Sequence, residues 1–237
     1  MRNKNKRKQQ QLETQLRFSP YAWAKLVFMR DRSENEVGAF GITPADDLLF
    51  VEDIVIVKQT VSIVSVSFED LAVADFFDQQ VDQGRKPEQF ARLWLHTHPG
   101  SSPSPSITDE ATFRRVFGAC DWSVMFILAQ EGKSYARLHF KAGPGGDMHL
   151  PVCVDYSGSF AGSDIKAWKA EYKQHVKQER RVLAVAEPSE FLGGDAMLPD
   201  DIVEQLDHMD PDERQQYMDE LAIQSEFWDE EMGVFYE

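Results

Sequence analysis

Ala91-Arg92-Leu93-Trp94-Leu95-His96-Thr97-His98-Pro99-Gly100 reads as an apolar strand that ends in two histidines and is stopped by a proline. Side chains two apart on a strand leave from the same face, so His96 and His98 project together. A Pro/Ser loop follows. Ser106-Ile107-Thr108-Asp109-Glu110 then opens a helix to about Phe117, because a Ser or Thr cap with acidic residues behind it satisfies the free N–H groups of a first turn. Gly118 closes that helix.

Working outward, Trp23, Leu26, Val27 and Met29 have helical spacing after Pro20, and the polar stretch Asp31 to Asn35 ends them. Three β-rich runs come next: Glu36 to Ile42, Leu49 to Val57 and Val61 to Phe68. Leu71, Ala72, Phe76, Phe77 and Gln80 predict a helix that Gly84 and Pro87 break. Downstream, Trp122 to Ala129 and Ser134 to Phe140 read as a hairpin around Gln130-Glu131-Gly132-Lys133, and His149 to Asp155 as one more strand. This order of elements predicts an α/β fold in which a mixed β-sheet carries flanking helices.

Three segments are expected: a basic flexible arm over 1–16, the α/β domain over 17–155, and a helical, acidic C-terminal extension over 156–237. In the extension, residues 164–186 read as a helix of mixed charge. Residues 199–232 read as acidic helices with Ile202, Leu206, Tyr217, Leu221, Phe227 and Trp228 as apolar points. Net charge is −15, yet residues 187–237 alone hold 17 Asp or Glu against the single basic Arg214. The other 186 residues are near +1, a balance that argues against nucleic-acid binding. Cys120 and Cys153 are too few for a disulfide framework, and no Cys-x-x-Cys pair is present. The longest apolar runs, Val51 to Val57 and Val124 to Ala129, are far short of the ~20 residues that span a bilayer. With no secretory signal at Met1, a soluble cytoplasmic protein without a membrane role is expected.

Eleven residues beyond His98, Asp109 lies in the first turn of its helix, where the chain can bring its carboxylate back to the two imidazoles. Two His and one carboxylate form a catalytic Zn²⁺ ligand set with a fourth position left for water, whose pKa the metal lowers from about 15.7 towards ~7. Glu36 is the candidate to move protons. Ser106 either caps the helix or donates a hydrogen bond to a developing oxyanion.

His96-Thr97-His98-Pro99 followed by Pro105-Ser106-Ile107-Thr108-Asp109 resembles the His-x-His-Pro…Pro-Ser-x-x-Asp signature of the JAB/MPN (JAMM) zinc metalloproteases, with both internal spacings intact. The resemblance covers about residues 18–142. It implies a cytidine-deaminase-like fold, zinc held by His96, His98 and Asp109, and Glu36 of Glu36-Val37-Gly38 as general acid/base, with Glu34 a nearby rival. It further implies cleavage after the C-terminal glycine of a ubiquitin-like protein, by isopeptidase action or precursor processing. Without a long insertion, the chain looks like the compact bacterial-type, deubiquitinase-like members. Two alternatives stay open: a zinc hydrolase that matures a sulfur-carrier protein, and a non-catalytic MPN scaffold.

The expected partners are a ubiquitin-like protein or its conjugates, with modifier-conjugating enzymes meeting the acidic tail. His139, His149, His175 and His208 lack partner spacing and receive no function. Trp94, Phe113, Phe117, Trp122 and Phe126 fall at core positions. Leu192-Gly193-Gly194 echoes a modifier's diglycine end, but a Gly-Gly turn is the commoner reading.

Overall fold

Helix α1 (Pro20–Arg32) shows how local sequence builds the frame. Ser19 caps it, its hydroxyl accepting from the Ala22 N–H at 3.0 Å, and Pro20 takes a first-turn position that needs no donor. Ala22, Leu26 and Met29 form its inward stripe. The computed structural model describes residues 14–63 and 65–178; the expected acidic helices of 199–232 and most of the 1–16 arm lie outside the described residues.

In chain order the elements are β1 (Leu16–Phe18), α1, β2 (Val37–Ile42), β3 (Phe50–Val51), β4 (Asp53–Val55), β5 (Gln59–Val61), β6 (Val66–Phe68) and α2 (Asp70–Asp82). There follow β7 (Leu93–Thr97), α3 (Ile107–Phe117), β8 (Trp122–Leu128), β9 (Ser134–Phe140), β10 (Gly146–His149), β11 (Val152–Val154), α4 (Ile165–His175) and β12 (Val176–Gln178). The central sheet has the order β10-β9-β8-β7-β2-β4 and is mixed: β7 and β8 run parallel, joined through α3, and the other neighbours are antiparallel. The expected mixed α/β architecture is present.

Both faces of this sheet are buried, and the strands alternate between two cores. Val37, Ala39, Leu93, Leu95, Val124, Phe126 and Leu128 point to a core shared with α1, Leu16, Phe18 and Trp168. Phe40, Ile42, Trp94, Met125 and Ile127 point to a second core with Phe76 of α2 and Phe113 and Phe117 of α3. His96 follows the Trp94 parity, so it rises from the α3 side of the sheet.

Several expected runs divide. Leu49–Val57 is two strands: β3 pairs with β1 in one small sheet, and β4 pairs with β2 in the central one. Between them the Glu52 N–H donates to Ile42 O, switching the chain from one sheet to the other. Val61–Phe68 also divides: Val61 ends β5 and Val66–Phe68 folds back as its antiparallel partner β6, with Ser62 and Ser65 closing the turn through N–H to O and hydroxyl contacts of 3.0 and 2.8 Å. His149–Asp155 likewise divides between the end of β10 and β11, which pairs with β1.

Both ends of the domain extend past their expected boundaries. Leu16, placed in the arm by its polar neighbours, is buried in β1 between β11 and β3. Within the expected 156–237 extension, α4 seats Trp168 against Tyr21 and Phe28 of α1, and β12 runs parallel to β5. Lys25 of α1, itself buried, reaches Ile54 O at 2.6 Å and Glu171 of α4 at 2.9 Å. Residues 164–178 are therefore part of the domain. Among the described residues, no helix is long and apolar enough to cross a membrane.

Candidate metal centre

The site sits past the carboxyl end of β7. Val37 pairs with Thr97 and Gly38 with His96, so continuing the antiparallel ladder one step brings Glu36 opposite His98. Thr97 reinforces the step by accepting from the Val37 N–H at 3.0 Å through its hydroxyl, and the His98 N–H donates to Leu128 O. The β5–β6 hairpin crosses just here. A Cβ on Gly38 would lie 2.6 Å from Val66 and 2.7 Å from Phe68, so only glycine admits the crossing. Buried Gln59 clamps the same glycine, accepting from its N–H and donating to its C=O, both at 2.8 Å. Ser62 O takes the Glu36 N–H at 2.9 Å.

Asp109 arrives from the other side. Ser106 is the N-cap of α3 and forms a reciprocal capping box: its hydroxyl accepts from the Asp109 N–H at 3.0 Å, while Asp109 Oδ2 accepts from the Ser106 N–H at 2.9 Å. The Ser106 hydroxyl proton also goes to Asp109 Oδ2, at 2.9 Å. Of the two roles weighed for Ser106, the structure displays the cap, and that cap aims Oδ1 at His96.

Glu36, His96, His98 and Asp109 are all buried, and one ligand atom from each lies within 4.8 Å of the others. His96 Nε2 is 3.1 Å from Asp109 Oδ1; His98 Nε2 is 3.4 Å from Asp109 Oδ2 and 3.5 Å from Glu36 Oε1. Donor atoms around a tetrahedral ion with bonds of ~2.0–2.1 Å stand about 3.3 Å apart, and each imidazole lies close to that distance from an Asp109 oxygen. Both His96 ring nitrogens are buried, and neither meets hydrogen-bond geometry with a described residue, an arrangement that costs free energy unless a further group enters. The cluster can hold a metal ion. Glu34, the rival for Glu36, is exposed and outside it.

Electrostatics prepare the same set. Complete burial lowers the His96 pKa against the pull of Asp109, leaving a neutral ring with a lone pair to offer. For Asp109, burial disfavours the charge, but the electrostatic pull of the adjacent His96 and His98 imidazoles holds its carboxyl well below the usual range. His98 Nδ1 donates to Ser102 O at 3.0 Å, turning Nε2 inward. His96 has no such backbone prop; the Trp94 indole stacks on it at 4.5 Å and 27°, and Phe113 and Phe117 of α3 continue the stack behind the indole.

Reading the sequence placed His96, His98, Asp109, Ser106 and Glu36, and the structure brings all five together. Thr97, Gln59, Ser102 and the positional role of Trp94 were not anticipated. Ser102 acts through its carbonyl, which leaves no side-chain signal, whereas a glutamine amid the Val-rich run around Gln59 is a signal that can be sought. No protein-family model matches the chain, and a search of curated proteins finds no match to it.

Proposed function

We propose that this chain is a zinc-dependent peptidase or isopeptidase of the JAB/MPN type, cleaving after the C-terminal glycine of a ubiquitin-like protein. The observation that carries the reading is the buried quartet of two imidazoles and two carboxylates. The mixed sheet with helices on both faces and the intact His-x-His-Pro…Pro-Ser-x-x-Asp spacing support it. Two nitrogens and one oxygen from His96, His98 and Asp109 are a usual catalytic zinc set. Bound there, zinc would supply Lewis acidity and a water made acidic near neutral pH.

The protein's own groups do the rest. Glu36, buried beside His98, takes the proton of the attacking water and delivers it to the leaving amine. Ser106 holds Asp109 in the orientation that serves His96, and Ser102 fixes the His98 tautomer. The test pairs metal analysis with cleavage of a panel of ubiquitin-like fusion proteins. Wild type is expected to carry about one zinc per chain and to cut after the terminal glycine. Glu36→Gln is expected to keep the zinc and slow cutting by about 10²–10⁴. A wild-type chain that takes up no zinc, or a Glu36→Gln chain that cuts at the wild-type rate, overturns the proposal.

A further inference from the structure

Helix α4 presents one face to the domain through Trp168 and Tyr172 and another to solvent. On the outer face Lys166, Lys169 and Lys173 recur at helical spacing, and with Ile165 and Ala170 they line an open groove of about 550 Å³. The exposed Lys177 follows in β12. None of these four lysines meets a carboxylate among the described residues, whereas Glu171, the acid of the helix interior, is committed to Lys25. Ile165 is a half-exposed apolar side chain in the groove's lining.

The chain's charge is separated in a complementary way. Immediately beyond β12 it continues through 179–186 into 187–237, with 17 Asp or Glu and one Arg. Within 199–232 alone there are 13 acidic residues, interleaved with Leu206, Tyr217, Leu221, Phe227 and Trp228. The lysines match the acidic residues, and Ile165 and Ala170 match the apolar points. Reach is no obstacle: nine residues from Gln178 to Glu187 extend to about 30 Å at ~3.3 Å each. The 11 residues of α4 span only about 16 Å.

We infer that the segment 199–232 docks on the α4 lysine face of its own chain. A short tether gives the segment an effective concentration near the millimolar range, far above that of a separate acidic protein competing for the same lysines. The basic residues of the arm, Arg2, Lys4, Lys6, Arg7 and Lys8, are the rival site within the chain. The inference is independent of the metal centre and stands or falls without it.

The test is zero-length carbodiimide coupling of lysine to carboxylate on the full chain, using an equal mixture of ¹⁴N- and ¹⁵N-labelled protein and peptide mass analysis. The exposed Lys58–Glu69 pair, 2.8 Å apart, serves as the built-in control that coupling has worked. The expected result is same-isotope links from Lys166, Lys169 or Lys173 to acids of 199–232. Their yield should fall severalfold at 1 M salt, where the screening length is about 3 Å. The surface variant Lys166→Glu/Lys169→Glu/Lys173→Glu should lose them while keeping the control link. With that control present, three results overturn the inference: no links from α4, mixed-isotope links only, or tail links confined to Lys4, Lys6 and Lys8.

Discussion

The two faces of the central sheet treat buried charge in opposite ways. On the α1 side, Lys25 is closed on Ile54 O and Glu171, and Arg30 donates to Ala129 O at 2.8 Å. On the α3 side, His96 keeps both nitrogens outside hydrogen-bond geometry, and the buried Trp94 Nε1 has no partner among the described residues. The first face mixes aliphatic residues with the Phe18, Phe126 and Trp168 rings and holds helices to the sheet; the second is richer in aromatics and ends in a crowd of imidazoles and carboxylates. Closed polar groups stabilise a fold. Open ones store an unmet demand, and that demand marks where a ligand belongs.

Substitutions can break this contrast. His96→Ala carries the largest expected effect: bound zinc should fall from about one per chain to below about 0.1, with secondary structure by circular dichroism unchanged. Full zinc loading of that variant would mean that the α3 face is as closed as the other. Next comes Trp94→Leu, which removes the ring that orients His96; zinc affinity by competition with a chromogenic chelator should weaken about 10–100-fold. Trp94→Phe keeps a flat ring and should stay within a few-fold of wild type. Equal affinity for the Leu variant would assign the stack to packing alone.

On the opposite face, Lys25→Met leaves Glu171 without its cation; the side chain is partly solvated and still accepts from the Ile56 N–H at 3.2 Å, so the cost is about 2 kcal/mol rather than that of a fully buried charge. Thermal denaturation should show a Tm lower by about 4–8 °C with zinc content unaltered. Adding Glu171→Gln should recover much of that loss, because the uncompensated charge goes while an acceptor for the Ile56 N–H stays. The smallest effect belongs to Ser106→Ala, about 1 kcal/mol in urea unfolding from the lost cap. Its zinc affinity should drop only a few-fold, since the Ser106 N–H still holds Asp109 Oδ2.

What the chain discloses as a string depends on how far apart the interacting residues lie. His96, His98 and Asp109 fall within one strand–loop–helix, where alternation and capping place them. Glu36 lies 60 residues from His96 and reaches it only through the β2–β7 register, so residue spacing alone names it without locating it. The split of Leu49–Val57 was hidden because both halves are equally apolar; which sheet each joins is decided by distant partners. Leu16–Phe18 is too short to show a period, and Trp168 lies among lysines, so neither betrays that it is core. The hairpin turn at Glu131 and Gly132 was legible, and both residues adopt the positive φ it needs.

The parallel pairing of Val176–Gln178 with Gln59–Val61 sets where this chain can be shortened. A cut at 155, the boundary that composition alone recommends, strips a strand from the hairpin whose Ser62 carbonyl holds the Glu36 amide and whose Gln59 grips Gly38. It also empties the seat of Trp168 beneath α1. The smallest piece that keeps the Glu36 strand braced therefore runs through residue 178, and the acidic remainder is attached to the domain at the edge of that same brace.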